Sequence, residues 1–190
     1  MHLLEPYFNW RHLYIASEDE NSPFYGREYS EFEYSKTIYN FYIHPQWDDI
    51  GSETLYVKVL FVDYEEKYCV IELIGEWNDA INNDIMLLKR DYLDDLNYMG
   101  INKYILIGEH VLNFHNSDDS YYEEWFDDNE EDGWIVMLNF RDHVLKEFKQ
   151  SGLDYYVNYG GELDDFDWRK FSPGQVFGNV SKIINKRLFS

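Results

Sequence analysis

Acidic side chains outnumber basic ones 37 to 16 in this 190-residue chain, for a formal net charge of −21. Chance pairs of carboxylates are therefore expected. A pair does acid–base work only where burial splits its two pKa values. Glu72, Glu76, Asp79 and Glu109 would approach one another if their strands are adjacent in a sheet, although solvated strand ends are the simpler account. Glu76, Trp77, Asn78 and Asp79 follow directly on an apolar run. Ligands of open α/β sheets bind just beyond the carboxyl ends of strands, so position alone makes these four the expected small-molecule site. His110 and His115 form the one close histidine pair, and their spacing is not the i, i+4 of a helical zinc pair. With no cysteine nearby, no metal site is expected. Cys69 sits in the middle of a β-like run and reads as core. There is no P-loop, no Gly-x-Ser-x-Gly, no dinucleotide fingerprint and no His-Glu-x-x-His, so no catalytic residue and no cofactor is expected.

These residues have to be positioned by local elements. Residues 1–36 are aromatic and polar without a sustained period, and Ser22-Pro23 and Tyr25-Gly26 mark turns. Trp10, Tyr14, Phe24, Tyr25, Tyr29 and Phe32 make this stretch too apolar for a disordered tail. An ordered arm is expected, with a short helix over 7–15. Residues 37–44 are β-like and end at Pro45. Residues 54–63 and 67–74 are rich in β-branched and aromatic side chains, joined by the polar link 64–66, which reads as a hairpin turn. Ile81, Ile85, Leu88, Tyr92, Leu96 and Met99 recur at spacings of four and three, one face of a helix that Asn82 or Asn83 caps and Gly100 ends. Residues 103–107 and 134–140 are short buried strands. Between them, 117–129 reads as a helix that packs Tyr121, Tyr122, Trp125 and Phe126, with Ser117, Asp118 or Ser120 as its cap. A further helix over 142–150 turns Val144, Leu145 and Phe148 inward, and 155–159 is expected as a last strand. After Gly160-Gly161 come an acidic turn, 162–167, and an amphipathic helix carrying Val176, Val180, Ile183, Ile184 and Leu188.

The result is an α/β chain: a mixed sheet with a leading β-hairpin, then alternating helices and strands. It divides into the arm (1–36), an α/β domain (37–159) and a C-terminal acidic turn and helix (160–190). No internal repeat is present, and aromatics interrupt the acidic run 123–132. Tyrosine is abundant, 18 residues in a chain that is 19% aromatic. An aromatic core with wet edges accounts for this, and a binding surface would use the same residues. A single cysteine, no leader and no apolar stretch near the roughly 20 residues of a membrane span favour a reducing, cytoplasmic setting. The negative charge disfavours nucleic acid and anionic membranes as partners and permits basic proteins.

Three stretches in this order resemble the STAS domain, the family named for sulfate transporters and anti-sigma-factor antagonists. VIELIGE (70–76) looks like the strand ending in Gly-Glu before the first helix. KYILI (103–107) with VLNFHNS (111–117) looks like the next strand and its loop, and HVLKEFKQSGL (143–153) like the late helix. The likeness covers roughly 55–159. In the antagonist branch, a serine at a helix start is phosphorylated and dephosphorylated, which toggles binding to an anti-sigma kinase. The usual loop there is Asp-Ser-Ser-Gly. Here it reads Asn116, Ser117, Asp118, Asp119, Ser120. Asn116 replaces the leading Asp, the Gly is missing, and Asp118 stands at a serine position. The departure removes support for the phosphoswitch, while the carboxylate gives the helix start a standing negative charge. The resemblance implies that these five residues face a protein partner. The expected function is thus a non-enzymatic protein-binding or regulatory module of STAS-like type. Two other readings stay open: an enzyme of unrecognised type using strand-end carboxylates, with or without a divalent cation, and an acidic mimic of nucleic-acid charge.

Overall fold

The computed structural model describes residues 2–34, 36–129 and 132–189; positions 1, 35, 130, 131 and 190 of the expected arm, acidic run and tail lie outside the described residues. Three short strands, β1 (His2–Leu4), β2 (Thr37–Ile38) and β3 (Phe41–Ile43), form a small sheet in the order β1-β3-β2. Five more form the main sheet: β4 (Asp48–Asp49), β5 (Leu55–Asp63), β6 (Tyr68–Asn78), β7 (Lys103–His115) and β8 (Trp134–Leu138), in sequence order. β4, β5 and β6 pair antiparallel, and β6, β7 and β8 pair parallel. The leading hairpin is closed by Asp63, whose Oδ1 accepts the backbone N–H of Glu65 at 3.0 Å and of Glu66 at 2.9 Å. Residues 37–44, expected as one β-like run, instead turn back at Tyr39, φ 50°, so that β2 and β3 pair antiparallel in the small sheet.

The crossovers carry α1 (Asp79–Asn82), then α2 (Asp84–Leu88), which runs through a π-helical turn at Lys89–Leu93 into α3 (Asp94–Tyr98), and α4 (Ser120–Asp128). Downstream lie α5 (Asp142–Gln150) and α6 (Pro173–Leu188). The helix expected over 81–99 is thus broken. Asn83 adopts a left-handed conformation, φ 54°, and ends α1. Ile81 is consequently 82% exposed, and Met99 at the far end is exposed too, whereas Ile85, Leu88, Tyr92 and Leu96 are buried as their spacing predicts. α6 starts on a capping box, Ser172 with Gln175, with Pro173 in its first turn. Val176, Val180 and Ile184 face the sheet, and Leu188 does not.

Two strands outrun their sequence signals. β6 was expected to stop at Gly75 and β7 at Ile107. Gly75 instead holds φ 118°, and a Cβ there would lie 2.0 Å from the Thr54 carbonyl oxygen. That close approach lets the Thr54 carbonyl accept Glu76 N–H at 2.9 Å and carries β6 on to Asn78. β7 follows it, with register shifts between Glu72 and Ile74 and between Gly75 and Glu76, up to the pair Asn78–His115. The expected strand over 155–159 is absent. Residues 153–155 form a 3₁₀ turn, and only Asn158 bridges to Val136, because the chain passes β8 at a single point. The helix expected over 7–15 is a set of turns.

Helices α2 to α5 cover one face of the sheet, over Ile71, Leu73, Leu106 and Met137. Buried Cys69 packs on this face, and burial pushes its thiol pKa up. The other face, with Val70, Ile105, Ile107 and Val136, is covered by Trp10 of the arm and by Leu163, Trp168 and α6 of the tail. Arm and tail therefore close the core that the crossovers leave open. No helix of the described residues is long and apolar enough to cross a membrane.

Candidate functional site

The loop between β7 and α4 holds Asn116, Ser117, Asp118, Asp119 and Ser120. Asn116 is half-buried, and the other four are exposed. Asp118 organises the loop: its Oδ1 accepts Ser120 N–H at 3.0 Å and the Ser120 hydroxyl. These bonds hold its carboxyl below the usual range. The N-cap position belongs to Asp119, which makes no side-chain cap bond. Ser117, named among the expected caps, reaches only the Asp118 carboxylate, at 3.5 Å. The Asp119 Oδ2 is free to accept the Tyr156 hydroxyl at 3.0 Å. Tyr156 lies in a group of three rings, with centroids 5.3 Å from Tyr155 and 5.9 Å from Phe126; Phe126 and Tyr155 are 5.7 Å apart. Tyr155 is 75% exposed and Phe126 is exposed as well. Phe126 was expected inside. It projects outward because Tyr122 and Trp125 take the buried face of α4. The rings of residues 155 and 156 were read as strand, so the sequence offered no sign that they would join the acidic loop.

Glu76, Trp77, Asn78 and Asp79 are brought together at the end of β6. Trp77 is 1% exposed and packs in the core, and Asn78 and Asp79 are buried. Asp79 Oδ1 accepts the Trp77 indole N–H at 3.0 Å and Ile85 N–H at 2.8 Å, while its Oδ2 accepts the Tyr122 hydroxyl at 2.6 Å. Burial raises the Asp79 pKa to about 6, against the pull of these three donors. Asn78 caps α1 by accepting Ile81 N–H at 3.0 Å, and its own N–H goes to Asp84 Oδ2 at 2.7 Å. Glu76 accepts from Asn78 Nδ2 at 3.0 Å and from the Tyr39 hydroxyl, and lies 3.3 Å from His115 Nε2. Asn78 and Asp79 organise the helix break at Asn83, the first by accepting Ile81 N–H and the second by accepting Ile85 N–H.

Glu72 and Glu109 meet on the opposite face, under arm and tail. Glu72 is buried and accepts Tyr7 N–H at 2.8 Å. Burial pushes its pKa up to about 7, with the charge of Glu109 adding to the rise. Glu109 is partly buried, yet hydrogen bonds from Arg169, Asn139 and Trp168 hold it below its usual value. The two carboxyls are thus pushed in opposite directions, Glu72 up and Glu109 down, and both fasten terminal segments to the sheet. A third acidic group, Asp94, Glu124 and Asp128, has ligand atoms within 4.8 Å of one another. The buried Lys89 ammonium already sits there, 2.5 Å from Asp94, 2.6 Å from Asp128 and 3.4 Å from Glu124.

No family model matches the chain, and no curated protein matches it. Among solved structures, the anti-sigma factor antagonist SpoIIAA in its unphosphorylated form is similar over 56% of this chain and 89% of that one, at 18% identity and a TM-score of 0.44. The Bacillus cell fate determinant SpoIIAA in the phosphorylated form is similar over 56% of this chain and 92% of that one, at 18% identity and a TM-score of 0.40. Both likenesses cover 56% of this chain.

Proposed function

We propose that this chain is a non-enzymatic protein-binding module of STAS-like type, and that the loop 116–120 with Phe126, Tyr155 and Tyr156 forms its partner surface. One observation carries the reading: the hydroxyl of Tyr156 bonds Asp119, so an acidic edge and an exposed aromatic patch make one continuous surface. Aromatic side chains supply contact area at low entropic cost, and they are enriched at the centres of protein interfaces. The carboxylates of Asp118 and Asp119 beside them favour a basic partner and would speed its approach. In the acids of the β6 end, by contrast, the oxygens are consumed by the protein's own donors.

The test starts from a partner captured from the source organism with the parent chain. Binding is then measured for two variants at low and high salt. Asp118→Lys with Asp119→Lys should slow association, most of all at low salt. Phe126→Ala with Tyr155→Ala should weaken affinity by about 2 kcal/mol or more if these rings are anchors. Parent-like binding by both variants would place the partner surface elsewhere.

A further inference from the structure

A cavity of about 170 Å³ lies between the arm and β5, on a part of the molecule that the proposed partner surface does not use. Trp10, Tyr14, Ile15 and Leu60 supply apolar walls, and two cations, Arg11 and Lys58, reach it. In a chain of net charge −21, two cations on one small apolar cavity call for a reason. Their own partners leave both unspent. Lys58 has a side chain only 12% exposed, and its polar partner among the described residues is Asp48, at 3.3 Å. An ammonium has three donors, so one carboxylate contact leaves capacity for more. The Lys58 nitrogen also stands 4.0 Å from the centroid of the Tyr29 ring, which keeps it at the cavity side of the strand. Asp48 is shared further with the Tyr29 hydroxyl and with Arg27, 3.5 Å away. Arg11 donates to the neutral amide of Gln46 at 2.7 Å, and among the described residues no carboxylate pairs with it. It lies near enough to Lys58 for the two charges to repel each other. Asp48 thus answers two cations, Arg27 and Lys58, and Arg11 adds a third positive charge beside Lys58.

We propose that this cavity binds a small aromatic carboxylate, with its ring against Trp10, Tyr14 and Leu60 and its carboxylate on Arg11 and Lys58. The size fits: an apolar cavity of about 150 Å³ takes one benzene ring. The chemistry also selects. A ring without charge leaves the two cations unanswered, and a bare phosphate would place polar surface against apolar walls at a cost in desolvation.

Titration calorimetry of the full chain with benzoate, benzamide and inorganic phosphate tests this. Benzoate should bind saturably and about tenfold or more tighter than its neutral isostere benzamide, the usual gain from charge-assisted hydrogen bonds. Phosphate should bind more weakly than benzoate. Arg11→Gln and Lys58→Met should each erase the preference for benzoate over benzamide while leaving benzamide binding as it is in the parent. Lys58→Met also disturbs Asp48, so the decisive variant is Arg11→Gln, whose side chain is exposed and whose removal leaves the core intact. The proposal is overturned if benzoate gives no saturable heat, if phosphate binds as tightly, or if Arg11→Gln keeps the parent's preference.

Discussion

Two charges on the helix face of the sheet, the buried Asp79 and Lys89, and two on the arm face, Glu72 and Lys58, differ in how fully they are partnered. On the helix side, Asp79 and Lys89 are each surrounded by several partners, whereas Asp84, buried beside the break at Asn83, leaves Oδ1 without a hydrogen-bond partner among the described residues. Asp79 accepts from Trp77, Ile85 and Tyr122, and Lys89 lies among Asp94, Glu124 and Asp128. On the arm side, Glu72 accepts one hydrogen bond, from Tyr7, and Lys58 has one carboxylate, Asp48. Lys58 and Glu72 stand opposite each other in the β5–β6 register, yet each turns to a different segment. Full satisfaction makes a charge part of the scaffold, because removing one partner strands the others. A sparsely partnered charge keeps capacity for something outside the chain. Burial raises both carboxyls by a similar amount, Asp79 from 3.8 to about 6 and Glu72 from 4.5 to about 7, so the contrast lies in their partners and not in their titration.

The largest effect that would break this comparison is expected at Lys89. Lys89→Met should lower stability in urea by about 3 kcal/mol, the lower end for breaking a buried pair, because solvent reaches the three acids once the ammonium is gone. A parent-like midpoint would show that the helix-side cage does not hold the fold.

Glu72 sharpens the contrast through pH. Its folded pKa of about 7 lies above the ordinary 4.5, so the folded state binds more protons than the unfolded state between these values. Its contribution to stability is therefore full below pH 4.5 and is lost as pH rises through 7. Glu72→Gln should remove this slope and stabilise the chain at pH 8 by about 1–3 kcal/mol, on the scale of 1.36 kcal/mol per pKa unit. Chemical denaturation of parent and variant across pH 4 to 8 reads it directly, and superimposable slopes would mean that Glu72 is better satisfied than its single donor implies.

The smallest effect is expected at Ser117. Its hydroxyl makes no cap bond to α4, so Ser117→Ala should change stability by less than about 0.5 kcal/mol. A loss on the scale of a true N-cap, about 1 kcal/mol, would contradict the cap position assigned to Asp119.

Much of the scaffold was legible because its signals are local. The hairpin of β5 and β6 announced itself in β-branched and aromatic runs around a polar link, and α5 in the spacing of Val144, Leu145 and Phe148. The far half of β7 was not legible. Residues 108–115 mix polar and apolar side chains; His110 and Val111 pair with Ile74 and Gly75, and only the extension of β6 past Gly75 gives 113–115 a partner strand. The break at Asn83 hid inside a helical period, because the apolar residues on both sides keep the same spacing. It is stabilised by Asn78 and Asp79, whose roles depend on how the chain leaves the sheet. In the candidate surface, the acids of the loop were visible as residues 116–120, but the rings that complete it were not, since Tyr155 and Tyr156 reach Asp119 and Phe126 only through the turn after α5.

By itself, the sequence determined which segments extend and which coil, the acidic character of the surface, and the apolar faces that had to be buried, because each depends on residues a few positions apart. The tertiary structure alone decided which charges are answered. Lys89 found three acids and Lys58 found one because helices α3 and α4 converge on the first, while β4 brings Asp48 to the second and the arm brings the cations Arg11 and Arg27. Partnership of this kind depends on segments far apart in the chain, and no local pattern of residues encodes it.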